Sequence, residues 1–162
     1  MSTYSKEAVI ERTATINAPL NLVWHAWTIA DRVSQWFAAE ARITPKVGGV
    51  YELYFERGNT NGMNTKGCTI VSMIHRQELT FTWKGPDQFR DFMNHGELTT
   101  VKVKLEELKE NKTNVRLQHV GWRDGEGWDE ALKWHEMAWS GVLNSLKSAL
   151  EEGIGQLCCQ PE

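Results

Sequence analysis

The chain has 162 residues, 41% of them hydrophobic and 24% charged, with a formal net charge of −3. That length suits one globular domain with a sizeable core, and the mixed, slightly acidic charge offers no basic block to displace counterions from a nucleic acid. No apolar run approaches the ~18 residues of a membrane span, and "MSTYSKEAVIERT" lacks a signal peptide's apolar core, so a cytoplasmic protein without membrane insertion is expected.

In chain order, residues 8–16 alternate as a strand that Asn17-Ala18-Pro19 stops. "PLNLVWHAWTIA" then reads as a helix with Pro19 in its first turn and Leu20, Val23, Trp24 and Trp27 on one face. Asp31 is placed to cap a second short helix carrying Val33, Trp36 and Phe37. Strand signals dominate from 40 to 121. Tyr51, Leu53 and Phe55 share a face after a Gly48-Gly49 turn, and "GCTIVSMIH" reads as a continuous apolar strand. Leu79, Phe81 and Trp83 fall together, as do Val101, Val103 and Leu105, and then Val115, Leu117 and His119. This is the pattern of an antiparallel meander of about six strands.

The chain closes with one long amphipathic helix from about Glu126 to Glu152, roughly 40 Å at ~1.5 Å per residue. Asp124 is the expected cap and Gly153 the stop. A 100° winding collects Trp128, Ala131, Leu132, His135, Trp139, Val142, Leu146, Ala149 and Leu150 on one stripe, with Trp134 on its flank and Met137 opposite. The order of elements calls for an α+β fold, a curved antiparallel sheet of six or seven strands with the long helix laid across its concave face. Residues 8–153 form the expected ordered core, and 154–162 a flexible tail that includes Cys158 and Cys159. The final Cys159-Gln160-Pro161-Glu162 lacks the aliphatic centre of a prenylation box.

Candidate chemistry is sparse. "GEG" at 125–127 opens a helix after a strand, but the surrounding acids repel phosphate and no parallel strand follows, so it reads as a turn. The five histidines show no metal-ligand spacing, and there is no nucleophile elbow. His119 and His135 can face each other across the helix–sheet interior, as hydrogen-bonded core residues or as ligand contacts. Trp24, Trp27, Trp36, Trp83, Trp128 and Trp139 all fall on inward faces, where they either pack or line a roomy pocket. Phe89, Phe92 and Met93 sit in segment 85–96, expected as a loop over the cavity mouth that is either tucked down or a mobile lid.

Six stretches, "INAPLNLVWHAWT" (16–28), "QWF" (35–37), "VGGVYELYF" (47–55), "LTFTW" (79–83), "VRLQHVGW" (115–122) and "AWSGVLNSLKSALEEG" (138–153), fall in an order that resembles the AHSA-type family, the homologues of an activator of a heat-shock chaperone ATPase. That family belongs to the START-like SRPBCC helix-grip superfamily. The resemblance implies a helix-grip fold with two short helices after strand 1. Its relatives include lipid carriers, hormone receptors, polyketide cyclases and a co-chaperone domain, and no catalytic residue carries over. The first expectation is a binder of a hydrophobic or aromatic small molecule, with Trp36, Trp83, His119, His135 and Trp139 lining the cavity and Phe55 and Phe92 nearer its mouth. Two others stay open: a protein-interaction module using Trp134 and Met137, and a cofactor-independent cyclase, aromatase or hydrolase using His135, His119 or Glu136. No ATP, metal or nicotinamide site is apparent under any of them.

Overall fold

The structure, a computed structural model, describes residues 8–56 and 62–153; the expected tail at 154–162, with its two cysteines, lies outside the described residues. Strand β1 (Ile10–Ile16) is followed by α1 (Leu20–Thr28) and the single-turn α2 (Ala30–Val33). Pro19 is the residue that precedes α1, with φ −67° already suited to it, and its carbonyl accepts the N–H groups of Leu22 and Val23. Val23, Trp24 and Trp27 are buried, as the spacing predicts; Ala26 is buried as well, and Leu20 is only half-buried. Asp31 does not cap α2. It lies within the first turn, and Ile29 holds the cap position without a side-chain hydrogen bond.

The remaining strands are β2 (Glu40–Ile43), β3 (Tyr51–Tyr54), β4 (Ile70–Ile74), β5 (Glu78–Trp83), β6 (Thr99–Lys109) and β7 (Lys112–Val120). They do not form one unbroken meander. A five-stranded sheet runs β1-β7-β6-β5-β4, every pair antiparallel, and β2 pairs with β3 as a separate hairpin. The two are stitched together where Tyr51 N–H donates to the Cys68 carbonyl and Gly48 N–H to that of Ile70, each at 2.8 Å. Gly48 (φ +84°) sits in the turn between β2 and β3, and the β4–β5 register slips between Ile70 and Ser72. The apolar run in β4 is also not buried throughout, since Val71 and Ile74 are about half exposed.

Alternation is cleanest on β5, β6 and β7. Leu79, Phe81, Trp83, Val101, Val103, Val115, Leu117 and His119 all turn inward and are buried. Helix α4 (Glu126–Glu152) lies over that face and buries Ala131, His135, Trp139, Val142, Leu143 and Leu146 against it. Its N-cap is Gly125 (φ 139°) rather than Asp124, because the chain leaves β7 through a turn that an L side chain resists; Gly153 (φ 82°) closes the other end.

Segment 85–96 is more ordered than a loop. A 3-10 turn at Asp87–Phe89 runs into α3 (Arg90–Met93), burying Phe89 and Met93. Asn94 closes the segment on itself: its Oδ1 accepts from Gly85 N–H at 2.7 Å, and its Nδ2 donates to the Gly85 carbonyl at 3.2 Å.

Candidate functional site

Two rows of aromatic side chains meet between α4 and the sheet. His119, on β7, stands opposite Val101 on β6 and Ile10 on β1, deep in the sheet. His135, one turn after Ala131 on α4, reaches down to it, with ring centroids 5.3 Å apart. Both imidazoles are fully buried.

The hydrogen bonds define each tautomer. Trp139 Nε1–H donates to His119 Nδ1 at 3.0 Å, so the proton of a neutral ring sits on Nε2 and is donated to Thr99 Oγ1 at 2.8 Å. Trp83 Nε1–H donates to His135 Nε2 at 3.1 Å, which leaves Nδ1–H to donate to the Ala131 carbonyl at 2.7 Å. An added proton on either ring would point an N–H at an indole N–H. Burial pushes His119 well below its ordinary range, and the facing His135 adds to the effect. Burial likewise lowers His135 to about 4 against a partial opposing pull from the Ala131 carbonyl. Neither ring has a free lone pair to take a proton from a substrate. The pair is a neutral, saturated seam.

Above the seam a crevice opens between α4, the end of β5, the connecting segments that carry Phe37, Phe55 and Met63, and the Gly85–Asn94 segment. Phe37, Phe55, Met63, Asn64, Trp83, Lys84, Gly85, Pro86, Trp134, His135, Ala138, Trp139 and Val142 line it, and about 20 Å³ is free. A water needs ~10–15 Å³ and a ligand pocket holds ~300–1,000 Å³, so the interior is filled by its own rings. Trp83 and Trp139 stand 4.8 Å apart by centroid, and Phe37 stacks on Trp83 at 6.1 Å and 19°.

Of the seven residues expected at the site, Phe55, Trp83, His135 and Trp139 line this crevice. His119 lies behind Trp139. Trp36 lies below, stacked on Phe37 at 4.9 Å with its Nε1–H on the Ala26 carbonyl, and takes no part in the lining. Phe92 sits on the outer segment against Trp128 at 5.1 Å. Glu136 is not among the lining residues either.

Sequence reasoning missed Trp122 and undervalued Trp134. Trp122 is buried at 2% exposure and donates to the His119 carbonyl at 3.0 Å, while Trp128, expected inward, is only half-buried. Strand alternation counted from His119 turns Trp122 outward, but Gly121 (φ 97°) reverses the chain between them. A glycine directly after a strand was the available signal. Trp134 falls on the flank of α4, as its spacing predicts, and becomes a wall because Phe89 packs on it at 6.0 Å.

Polar clusters are few. Among the described residues no three His, Cys, Asp or Glu side chains converge as a metal site. No described helix is long and apolar enough to cross a membrane.

A curved antiparallel sheet gripping one long C-terminal helix, with the crevice at their junction, defines a START-like helix-grip protein. The chain belongs to the family described as "Activator of Hsp90 ATPase homolog 1-like protein", whose model matches residues 17–151. Solved structures agree on the fold. A Mesorhizobium loti protein superposes with TM-score 0.72 at 19% identity, covering 90% of this chain and 98% of that one. The Aha1 dimer of Colwellia psychrerythraea gives 0.71 at 23%, covering 91% and 99%. An HSP90 activator of Plasmodium falciparum gives 0.65 at 20%, covering 90% and 96%. No curated protein sequence matches the chain.

Proposed function

We propose that residues 8–153 act as one unit, in the cytoplasm, that binds a hydrophobic or aromatic small molecule between α4 and the sheet. The observation that carries this reading is the crevice wall itself. α4 and Trp83 of β5 form part of it, Phe37, Phe55, Met63 and Asn64 come from connecting segments, and Gly85 and Pro86 belong to the short Gly85–Asn94 segment, whose Phe89 and Phe92 meet α4 through their rings. Displacing that one segment enlarges the crevice and leaves sheet and helix intact. Some enlargement is required, because 20 Å³ admits about one water.

Native mass spectrometry of freshly purified protein, followed by tryptophan fluorescence against flavonoids, fatty acids and sterols, tests the reading. Trp134→Ala separates binding from packing, since Trp134 is a half-buried wall residue. Ligand affinity should fall at least tenfold while the melting temperature drops by only a few degrees. Parallel loss of both would make Trp134 a packing residue and count against the site.

A second reading, an interaction module that stimulates a chaperone ATPase, is supported by the family and by the filled interior. Its expected contact is the outer face of α4 around Met137, which is 78% exposed. Purified chain added to an Hsp90-type ATPase should then raise turnover, and Met137→Asp should abolish the rise. Catalysis by the buried histidines ranks below both, because all four ring nitrogens are already engaged.

A further inference from the structure

We infer that Phe89 is a displaceable plug occupying the chain's own binding slot, and that the slot accepts a neutral, flat arene. The inference rests on the small-molecule reading above and deepens it. Phe89 is 7% exposed, and its ring stands 6.0 Å from Trp134 and 6.2 Å from His135, two residues that also line the crevice. Removing that phenyl would therefore join its space to the existing gap. An apolar void of ~150 Å³ stays dry and takes benzene, so the joined space has the size and character for a ring.

The chemistry of the walls restricts the occupant further. Trp83 and Trp139 have spent their indole N–H groups on His135 and His119, so they offer ring faces and no donor. None of the lining residues is acidic, which leaves nothing to pair with an amine. Lys84 also lines the crevice, with its amine 3.6 Å from where a β-carbon on Gly67, a residue outside the lining, would sit. Burying a charge is costly without a partner: no lining side chain pairs a cation, and an anion would need the Lys84 amine to turn from Gly67.

Phe89 meets α4 through ring contacts with Trp134 and His135, while the segment packs closely at two glycines: a β-carbon on Gly85 would meet Met93 Sδ at 2.5 Å within the segment, and one on Gly127 of α4 would meet Phe92 Cε1 at 2.7 Å. The segment's hydrogen bond to the neighbouring strand region is from Met63 N–H to Asp87 Oδ1 at 3.0 Å, on the exposed side.

The test titrates naphthalene, 2-naphthoate and decanoate by tryptophan fluorescence into the wild-type chain, Phe89→Leu and Phe89→Ala. Naphthalene should bind all three, about tenfold more tightly to Phe89→Ala than to wild type, with Phe89→Leu between. On Phe89→Ala, 2-naphthoate and decanoate should bind at least tenfold more weakly than naphthalene. If Phe89→Ala does not fold, a threefold gain in Phe89→Leu is the expected result. Equal naphthalene affinity across the folded proteins overturns the plug. A carboxylate that matches naphthalene overturns the arene assignment and leaves small-molecule carriage standing. Silence from all three probes, and from the flavonoid, fatty-acid and sterol library as well, removes the carriage reading and this inference with it.

Discussion

The two sides of the interior are held by different physics. Between the sheet and α4 the contacts are directional: Trp83 of β5 donates to His135 and Trp139 of α4 to His119, while the other ring nitrogens are met by Thr99 within the sheet and the Ala131 carbonyl within α4. Between the Gly85–Asn94 segment and α4 they are rings, Phe89 on Trp134 and Phe92 on Trp128 and against Gly127. A saturated polar network resists displacement, because every broken bond strands a buried group at ~1–3 kcal/mol. An apolar contact can exchange one ring for another at little cost. The seam therefore holds helix to sheet, and the segment is the side that can yield.

The sharpest way to break this contrast is at the seam. Trp139→Ala removes a large side chain at 1% exposure and strands His119 Nδ1. A loss of ~3–5 kcal/mol is expected from the cavity alone, with the stranded acceptor adding to it. Urea unfolding measures it. A loss under ~1 kcal/mol would mean the seam is not what holds α4 down.

Acid gives a graded version of the same test. Both histidines have folded pKa values below the ~6.5 of the unfolded chain, so between the two values the unfolded state binds more protons. Stability is then fully present above pH ~6.5 and falls as pH drops toward about 4, where the His135 contribution ends. Each histidine contributes a slope of at most ~1.4 kcal/mol per pH unit. Urea midpoints at pH 7.5, 6.5 and 5.5 should decline in wild type, and His135→Gln should flatten the curve. Identical slopes in the two proteins would contradict the neutral seam.

What was legible in the sequence follows the same division. The inward faces of β5, β6 and β7 and the stripe on α4 are periodic, and both bounds of α4 emerge from pattern and a terminal glycine. His119 and His135 facing each other follows from two independent periods, 2 on the strand and 3.6 on the helix. Periodicity says which side chains point inward, and nothing about whether they meet. Rings as large as Trp83, Phe37 and Trp139 close the expected cavity to 20 Å³, a consequence of volume and not of pattern. Two departures share a cause in backbone reversals: Gly121 turns Trp122 inward, and Gly125 displaces Asp124 from the cap. The residues of the yielding side, Phe89 and Trp134, lie in a segment with no period at all and on a helix flank.

The smallest expected effect is the most specific to that yielding side. Asp87 is exposed, and its Oδ1 accepts the Met63 N–H at 3.0 Å, linking the segment to the strand region beside it. Water can replace such an acceptor at the surface, so Asp87→Ala should cost global stability no more than ~1 kcal/mol. That energy falls on one local opening and not on the whole fold, and ~1 kcal/mol is about fivefold in an equilibrium. Amide exchange at Met63 and within Phe89–Met93 should quicken by roughly that factor, while amides of β6 and β7 keep their wild-type rates. Exchange that quickens equally in both places would show that the segment opens only when the sheet does, and the two sides would then be one cooperative unit.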